Sequence, residues 1–337
     1  MRVIVLNIPF KAWIEGDEIW ITVPPQGYGG IQWMVATHIE GLLDLGHDVT
    51  LLGAPGSPRV PNQMRVISIT DRDEVFAWLS SNDYDIVHDF SNGKIFSPEW
   101  LNGKPWISTH HFTGQPVNRE NTVYVSDSQA SLCGSEVRKR IRIPVNLNRY
   151  RLVERKDDYL LYLGRVSAWK GVYESAEFAS AIGMRLLVAG PVWEQEYSRK
   201  IIESFGDYVE FLGETGGEGR IRLIENASAL MCLSQYVMGP WGDIWSEPGA
   251  TVVSEAAASG TPVIGSENGC LPEIVPPVGA VVPYGVEITD EAAKTIFGSL
   301  PCPYEVRGYA ETHWDHIKIA KEYEATYQSA LSGSKWI

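Results

Sequence analysis

The chain has 337 residues, of which 44% are hydrophobic and 21% charged, with a formal net charge of −14 and a pI near 5.0. This composition is that of an ordinary folded protein long enough for two domains, and it argues against extended disorder. The acidic charge argues against nucleic acid as a partner, because phosphate backbones are bound by clustered Lys and Arg.

The sequence favours a cytoplasmic protein. No segment is apolar over the roughly 20 residues that a membrane-spanning helix needs, so membrane contact is expected to be peripheral at most. The four cysteines lie far apart without paired spacing, and Met1 leads into a short apolar run without a signal-peptide cleavage site. Both features are typical of proteins in a reducing compartment.

In the first half, short apolar runs alternate with segments of helical periodicity. A buried strand is predicted at residues 3–8 and a helix at residues 31–45, which Gly46 ends. Further strands are predicted at residues 49–52, 84–88, 106–108 and 123–125. Alternation of this kind predicts a parallel sheet with helices on both faces.

The second half repeats the pattern. Strands are predicted at residues 159–163, 186–188, 209–212, 230–233 and 262–264, with helices at 172–181 and 251–259 and a final helix at about 311–330. We therefore predict an α/β fold with two doubly wound, Rossmann-like domains, residues 1–148 and 149–310, followed by a C-terminal helix within 311–337. Ligands of such folds bind at the carboxyl ends of the strands.

Two glycine-containing loops follow predicted strands. The segment PPQGYGG, residues 24–30, opens the first helix, and its glycines, including Gly30, allow close backbone approach to a phosphate or sugar. The segment GRVSAWKG, residues 164–171, places Arg165 and Lys170 on one loop. These cations can stabilise the charge that develops on a departing nucleoside diphosphate. Two solvated loop cations are an equally good interpretation of this pair by itself.

The segment EPGATVVSE, residues 247–255, carries two carboxylates, Glu247 and Glu255. Pro248 suits the first position of a helix, so Glu247 is predicted at the helix entrance and Glu255 about two turns further on. Glu247 would then hold sugar hydroxyls, and anions would be bound by the free amides of Gly249, Ala250 and Thr251. A Glu at a helix N-terminus is also favourable by roughly 0.3–1 kcal/mol without any ligand.

The segment STHH, residues 108–111, follows a strand of the first half, where His111 or His110 could hydrogen-bond a sugar hydroxyl. A lone His is more often structural. Two Asp-x-Asp pairs, at residues 71–73 and 83–85, look like motifs that hold a divalent ion. Neither pair need face a donor, since the cations and amides of the second half already supply positive charge. We therefore predict no metal site.

Taken together, these segments resemble glycosyltransferase family 4, the retaining enzymes with the GT-B architecture. The resemblance runs through nearly the whole chain, and its specific part is the Gly-Arg-x-x-x-x-Lys-Gly loop together with the two glutamates seven residues apart. It implies two facing Rossmann-like domains with the C-terminal helix packing back toward the first. The chain departs from the family at EPGAT, where members commonly have Glu-Pro-Phe-Gly-Leu, so the donor sugar is left open.

The resemblance also implies roles for individual residues. The catalytic residues would be Glu247, which contacts the transferred sugar, and His111, which matches the family's histidine better than His110 does. The nucleotide ribose would be bound by Glu255. The donor diphosphate would be held by Arg165 and Lys170, with the turn at Gly30 near the donor phosphate or the acceptor. No protein nucleophile is implied.

The sequence thus predicts a metal-independent, retaining glycosyltransferase that needs no cofactor. Its donor would be a nucleotide diphosphate sugar, and its acceptor a small molecule, a glycan or a lipid-linked sugar. A sugar-nucleotide epimerase, a phosphorylase and a non-catalytic nucleotide-sugar binding protein are the alternatives, and they account less well for the full residue set. The aromatic residues between 10 and 28 could stack on the acceptor or pack the loop: Phe10, Trp13, Trp20 and Tyr28.

Overall fold

A computed structural model describes residues 1–14, 17–59, 64–112, 114–135, 139–239 and 242–336. The chain divides into two compact units. The first comprises residues 1–146 and 314–337, and the second comprises residues 147–313.

The described residues contain the following strands: β1 (Arg2–Leu6), β2 (Lys11–Ile14), β3 (Asp17–Trp20), β4 (Asp48–Gly53), β5 (Arg65–Ser68), β6 (Ile86–Asp89), β7 (Trp106–His110), β8 (Thr122–Tyr124), β9 (Asp157–Leu163), β10 (Arg185–Ala189), β11 (Val209–Gly213), β12 (Ala227–Cys232), β13 (Val263–Ser266) and β14 (Gly279–Val282).

Their helices are α1 (Gly30–Asp44), α2 (Arg72–Ser81), α3 (Asp127–Leu132), α4 (Val172–Ile182), α5 (Gln195–Phe205), α6 (Gly217–Asn226), α7 (Thr251–Ala258), α8 (Leu271–Ile274), α9 (Asp290–Gly298), α10 (Pro303–His313) and α11 (His316–Leu331). Short 3-10 helices lie at Pro98–Leu101, Leu147–Arg149 and Ala168–Lys170. No described helix is both long enough and apolar enough to span a membrane.

The first unit contains, among its described residues, a parallel sheet of six strands in the order β5-β4-β1-β6-β7-β8. Strand β1 lies inside this sheet and is buried from Val3 onward, because both of its faces are covered. Helix α11 packs against α1 on one face of the unit. Gly41 of α1 permits their close approach, since a side chain there would collide with the carbonyl of His316 and with Ala320.

A buried polar network joins α11 to the sheet. The imidazole of His88 lies 2.7 Å from the Tyr327 hydroxyl through Nδ1 and 2.7 Å from the Thr109 hydroxyl through Nε2. His38 Nε2 lies 2.9 Å from the same Tyr327 hydroxyl, and the Tyr323 hydroxyl lies 3.1 Å from that of Thr109. Because buried polar groups need hydrogen-bond partners, this network fixes how α11 sits on the first unit.

Two sequence-based expectations for the first unit differ from the structure. The stretch expected to be a loop contains the antiparallel hairpin β2–β3, in which the Lys11 ammonium lies 4.9 Å from the centre of the Trp20 ring. The side chain of Trp13 lies outside the described residues. The predicted final helix at about 311–330 is present as α11, but it begins at His316 and is separate from α10, because the carboxylate of Asp315 accepts from the amides of Ile317 and Lys318 and caps it.

The second unit contains, in the part that the structure describes, another parallel sheet of six strands, in the order β11-β10-β9-β12-β13-β14. Its central strand β9 is buried from Tyr159 to Tyr162. The apolar core on one face includes Leu160, Phe178, Val188 and Ile264. The carboxyl ends of β9, β10, β12 and β13 lie at one edge of this sheet, as parallel strands require.

Candidate active site

The loop after β9 carries the two predicted cations. It turns at Gly164, forms the 3-10 helix Ala168–Lys170 and enters α4 through Gly171, whose φ is 70°. A side chain at Gly171 would collide with the carbonyl of Leu233, so only glycine lets the loop lie this close to the segment that follows β12. This approach brings Lys170 next to residues that the sequence separates widely from it.

Lys170 and Glu247 form an ion pair. The distance between Lys170 Nζ and Glu247 Oε2 is 2.7 Å, and the two residues are 77 positions apart in the chain. The Glu247 side chain is only 7% exposed and that of Lys170 23%. Two of the segments singled out in the sequence therefore meet at one point at the edge of the sheet.

The carboxylate of Glu247 is held asymmetrically. Besides Lys170, its Oε2 accepts from the Ser234 hydroxyl at 2.8 Å and from the Trp245 indole N–H at 3.3 Å. Its Oε1 has no hydrogen-bond partner among the described residues. The backbone amide of Glu247 donates to Asn268 Oδ1 at 2.7 Å. The main chain and one carboxylate oxygen are thus fixed, and the other oxygen can accept from a ligand.

Arg165 lies on the same loop and stacks on aromatic rings. Its guanidinium carbon is 3.7 Å from the centre of the Trp193 ring and 5.9 Å from that of Trp169. Trp193 is 44% exposed, so this cation–π contact forms near the surface, where such contacts contribute about 0.5–1 kcal/mol. The stacking orients a planar group whose several N–H donors suit phosphate oxygens.

The predicted helix entrance at Pro248 is wrong. Helix α7 begins at Thr251, and Ala250 before it is extended, with φ −95° and ψ 93°. The cause is tertiary: Glu247 is held by Asn268 through its amide and by Cys270 through its carbonyl, which accepts from the Cys270 amide at 2.8 Å. This segment cannot also coil into a helix.

The three predicted anion-binding amides consequently differ in their positions. Thr251 is the first residue of α7, whereas Gly249 and Ala250 precede it. Burial raises the pKa of the Cys270 thiol well above its usual value, and the Ala250 amide opposes this rise.

Glu255 lies in α7 and is paired inside the second unit. Its Oε2 is 2.5 Å from Arg220 Nη2, and its Oε1 accepts from the Tyr150 hydroxyl at 3.2 Å. The side chains of Glu255 and Arg220 are only 5% and 9% exposed. Burial lowers the pKa of Arg220, but Glu255 and Tyr150 outweigh it, and the net pKa is raised. Arg220 is therefore charged, and the structure shows its buried ion pair with Glu255 at this predicted ribose-binding position.

The first unit carries His111 directly after β7. Its Nε2 donates to the carbonyl of Phe90 at 2.7 Å, and its Nδ1 lies 3.5 Å from Asn92 Nδ2. Burial lowers the pKa of His111 to about 3, with His110 adding to this effect and the Phe90 carbonyl opposing it. At neutral pH the ring is therefore uncharged, with a proton on Nε2.

The other predicted residues of the first unit have definite places. Gly30 is the first residue of α1, after Gly29 with φ 144°. Of the two Asp-x-Asp pairs, the first supplies the cap of α2, in which Asp71 accepts from two backbone amides. In the second, Asp83 and Asp85 form ion pairs with Arg2 at 2.6 and 3.0 Å. The described residues contain no group of three or more His, Cys, Asp or Glu that could hold a metal ion.

Sequence reasoning missed several residues around Glu247. Ser234 and Asn268 each follow a strand, β12 and β13, so the rule that ligands bind at strand ends could have found them. Trp245 gave no such signal, because it lies far from both the preceding strand and the next helix. The partners of Glu255, Arg220 and Tyr150, also gave none, since their pairing depends on packing.

Comparisons with known proteins agree with this picture. A family model described as glycosyl transferases group 1 matches residues 147–286. Over its full length the chain is similar to the crystal structure of AviGT4, a glycosyltransferase involved in Avilamycin A biosynthesis. The sequences are 48% identical, the alignment covers 100% of this chain and 99% of that one, and the TM-score is 0.94. A search of curated proteins finds no match.

More distant solved structures share the fold. Sucrose-phosphate synthase from Thermosynechococcus elongatus is 19% identical, with a TM-score of 0.73 over 99% of this chain and 100% of that one. Anabaena Alr3699/HepE in complex with UDP-glucose is 15% identical, with a TM-score of 0.70 over 98% of this chain and 100% of that one. Since the identity to AviGT4 extends along the whole chain, this protein belongs to the group 1 glycosyl transferases and is a glycosyltransferase of the GT-B architecture.

Proposed function

We propose that this glycosyltransferase moves a sugar from a nucleotide diphosphate sugar to an acceptor with retention of anomeric configuration, without a metal or a cofactor. The acceptor would be a small molecule, a glycan or a lipid-linked sugar. The contact between Lys170 and Glu247 carries this proposal, because it joins a cation for phosphate to a carboxylate for sugar hydroxyls. Anabaena Alr3699/HepE, which shares the fold, has been crystallised with UDP and with UDP-glucose.

The cationic loop would hold the diphosphate. An ammonium group has three N–H donors, and the described contacts of Lys170 direct one of them to Glu247. The others can donate to phosphate oxygens, together with the guanidinium of Arg165 and the amide of Thr251 at the start of α7. As the sugar departs, negative charge grows on the diphosphate, and fixed cations lower the energy of that transition state.

The carboxylate would hold the sugar. Glu247 Oε1 is open to accept from a hydroxyl of the transferred sugar, next to the group that binds the phosphate. We assign binding of the nucleotide ribose to Glu255. Its carboxylate oxygens can accept from the ribose hydroxyls through the lone pairs that the bonds from Arg220 and Tyr150 do not use. Neutral His111 in the first unit would accept from a hydroxyl of the reacting sugars through Nδ1, because its Nε2 proton is donated to the Phe90 carbonyl. An epimerase would instead need an acid–base pair around the sugar ring, and the second-unit residues described around Glu247 do not form one.

The test is nucleotide binding, since a ligand of the native state raises the unfolding temperature by mass action. We expect one nucleoside diphosphate to stabilise the wild-type protein and Arg165→Ala and Lys170→Ala each to weaken its binding tenfold or more. This follows because hydrogen bonds to charged groups contribute about 1.5–3 kcal/mol. Arg222→Ala is the matched control, because Arg222 is exposed on α6 and pairs with Glu218 of the same helix. Unchanged titrations in both loop variants would rule out this donor site.

A further inference from the structure

Trp245 contacts both members of the central ion pair. Its indole N–H donates to Glu247 Oε2 at 3.3 Å, and the Lys170 ammonium lies 4.3 Å from the centre of its ring. The residue is only 6% exposed. A buried aromatic side chain that touches a cation and a carboxylate at once restricts the positions of both.

The position of Trp245 is itself fixed from two sides. Its backbone amide donates to the Val237 carbonyl at 2.9 Å in a short hairpin that also contains the antiparallel bridge between Met238 and Ile244. Its carbonyl accepts from Asn268 Nδ2 at 3.2 Å. Asn268 in turn accepts from the Glu247 amide, so the backbones of Trp245 and Glu247 are tied to the same side chain.

The hydrogen bonds of Glu247 are all on one oxygen. Three donors converge on Oε2, from Lys170, Ser234 and Trp245, and none of the described residues donates to Oε1. A carboxylate held by three donors on one oxygen cannot rotate without losing them, so the direction of Oε1 is determined. Of the three, Lys170 would also bind phosphate through its other N–H groups, whereas Ser234 and Trp245 are assigned to the carboxylate alone.

We propose that Trp245 is a positioning residue for Glu247, which turns Oε1 toward a hydroxyl of the donor sugar. This inference rests on the proposed function. It assigns Trp245 no contact with the nucleotide, so loss of its N–H should weaken the hold on the sugar and leave the hold on the nucleoside diphosphate unchanged. A merely structural role would weaken both alike.

The experiment compares each nucleoside diphosphate with its sugar conjugate by calorimetry: UDP with UDP-glucose, TDP with TDP-glucose, and GDP with GDP-mannose. For the pair that wild type binds most tightly, the Kd of the diphosphate divided by the Kd of its sugar conjugate measures the contribution of the sugar. Trp245→Phe keeps a ring over Lys170 and removes the N–H. We expect the ratio to fall about three- to tenfold, the range of one ordinary hydrogen bond, while diphosphate affinity stays within about twofold.

Three further variants make the result specific. Ser234→Ala removes another donor to the same oxygen and should lower the ratio similarly. This variant tests the proposal by itself if Trp245→Phe does not fold. Glu247→Gln should lower it at least as much. Tyr236→Phe is the control, because it loosens the hairpin by removing the hydroxyl bonds to the Glu267 carbonyl and the Gly269 amide, while all three donors to Glu247 Oε2 remain. Its ratio should equal that of wild type.

The outcomes separate the two proposals. A ratio that is unchanged in both Trp245→Phe and Ser234→Ala overturns the positioning role and leaves the proposed function standing. An equal loss in Tyr236→Phe also overturns it, because the hairpin as a whole would then be responsible. A wild-type protein that binds none of the three pairs contradicts the proposed function, and this inference falls with it.

Discussion

Replacement of Glu255 by leucine should destabilise the second unit strongly. The carboxylate and the guanidinium of Arg220 lie 2.5 Å apart, and both side chains are more than nine-tenths buried. The variant leaves the Arg220 charge buried without its carboxylate partner, and an arginine cannot neutralise itself by losing a proton. Removal of one partner from a buried ion pair costs about 3–5 kcal/mol.

The matched variant combines Glu255→Leu with Arg220→Met. Replacing a whole buried pair by apolar side chains of similar volume is often neutral or stabilising, because the desolvation cost of two ions disappears. We therefore expect the double variant to be more stable than Glu255→Leu. A coupling of this kind between neighbouring residues cannot be obtained by adding independent effects.

Urea unfolding followed by circular dichroism measures these differences through the midpoint of the second unit's transition. In thermal unfolding, a domain of 150–250 residues loses about 2–4 °C per kcal/mol, so Glu255→Leu should melt about 6–20 °C below wild type. Nucleotide binding is titrated on the same samples at a temperature where each is folded. A Glu255→Leu protein that unfolds at the wild-type midpoint but no longer binds nucleotide would refute the ion-pair reasoning. Glu255 would then act in ribose binding and not in stability.

Three further predictions concern pH, turnover and metal. Burial lowers the pKa of His38 and of His111 to about 3, against 6.5 when unfolded. The contribution of these neutral rings to folding stability is therefore fully present above about pH 6.5 and is lost as the pH falls toward 3. The loss is at most about 1.4 kcal/mol per pH unit for each histidine, and equal urea midpoints at pH 7 and pH 5 would contradict it. Glu247→Ala and His111→Ala should lower kcat more than they weaken diphosphate binding, because residues used in the transition state act on turnover. Calorimetry and rate measurements on the same variants test this, and a loss of diphosphate affinity larger than the loss of kcat would contradict it. Turnover should persist after exhaustive chelation, and Asp83→Ala with Asp85→Ala should leave diphosphate affinity intact; activity restored only by manganese or magnesium would be evidence against this.

Much of the fold could be predicted from local patterns. The apolar run of β1 and the periodicity of α1 both appear in the structure within two residues of the predicted positions, because burial on both faces of a strand and on one face of a helix selects residues locally. Gly46 ends α1 with φ 81°, a conformation that glycine adopts without steric cost. The two repeated series likewise predicted two parallel sheets.

The limits lay where distant segments meet. The break between α10 and α11 depends on Asp315, whose capping bonds compete with a continuous helix that the amphipathic pattern alone favoured. The start of α7 depends on Asn268 and Cys270, which hold the Glu247 backbone extended. The contacts of Asn268 and Cys270 have no signature in the residues of α7. The Asp315 cap is local, and an Asp before a helix is a recognised start signal that the longer amphipathic pattern outweighed.

The sequence by itself determined which residue types are available for the site: the cations of the loop after β9 and the carboxylates around α7. The tertiary structure alone decided their partners. Lys170 pairs with Glu247, and Trp245 and Ser234 both donate to one oxygen of that carboxylate. Glu255 forms its ion pair with Arg220. The physical reason is that strand and helix patterns arise from burial of neighbouring residues. Contacts such as the one between Lys170 and Glu247, which are 77 residues apart, exist only after the sheet has brought its strand ends to one edge.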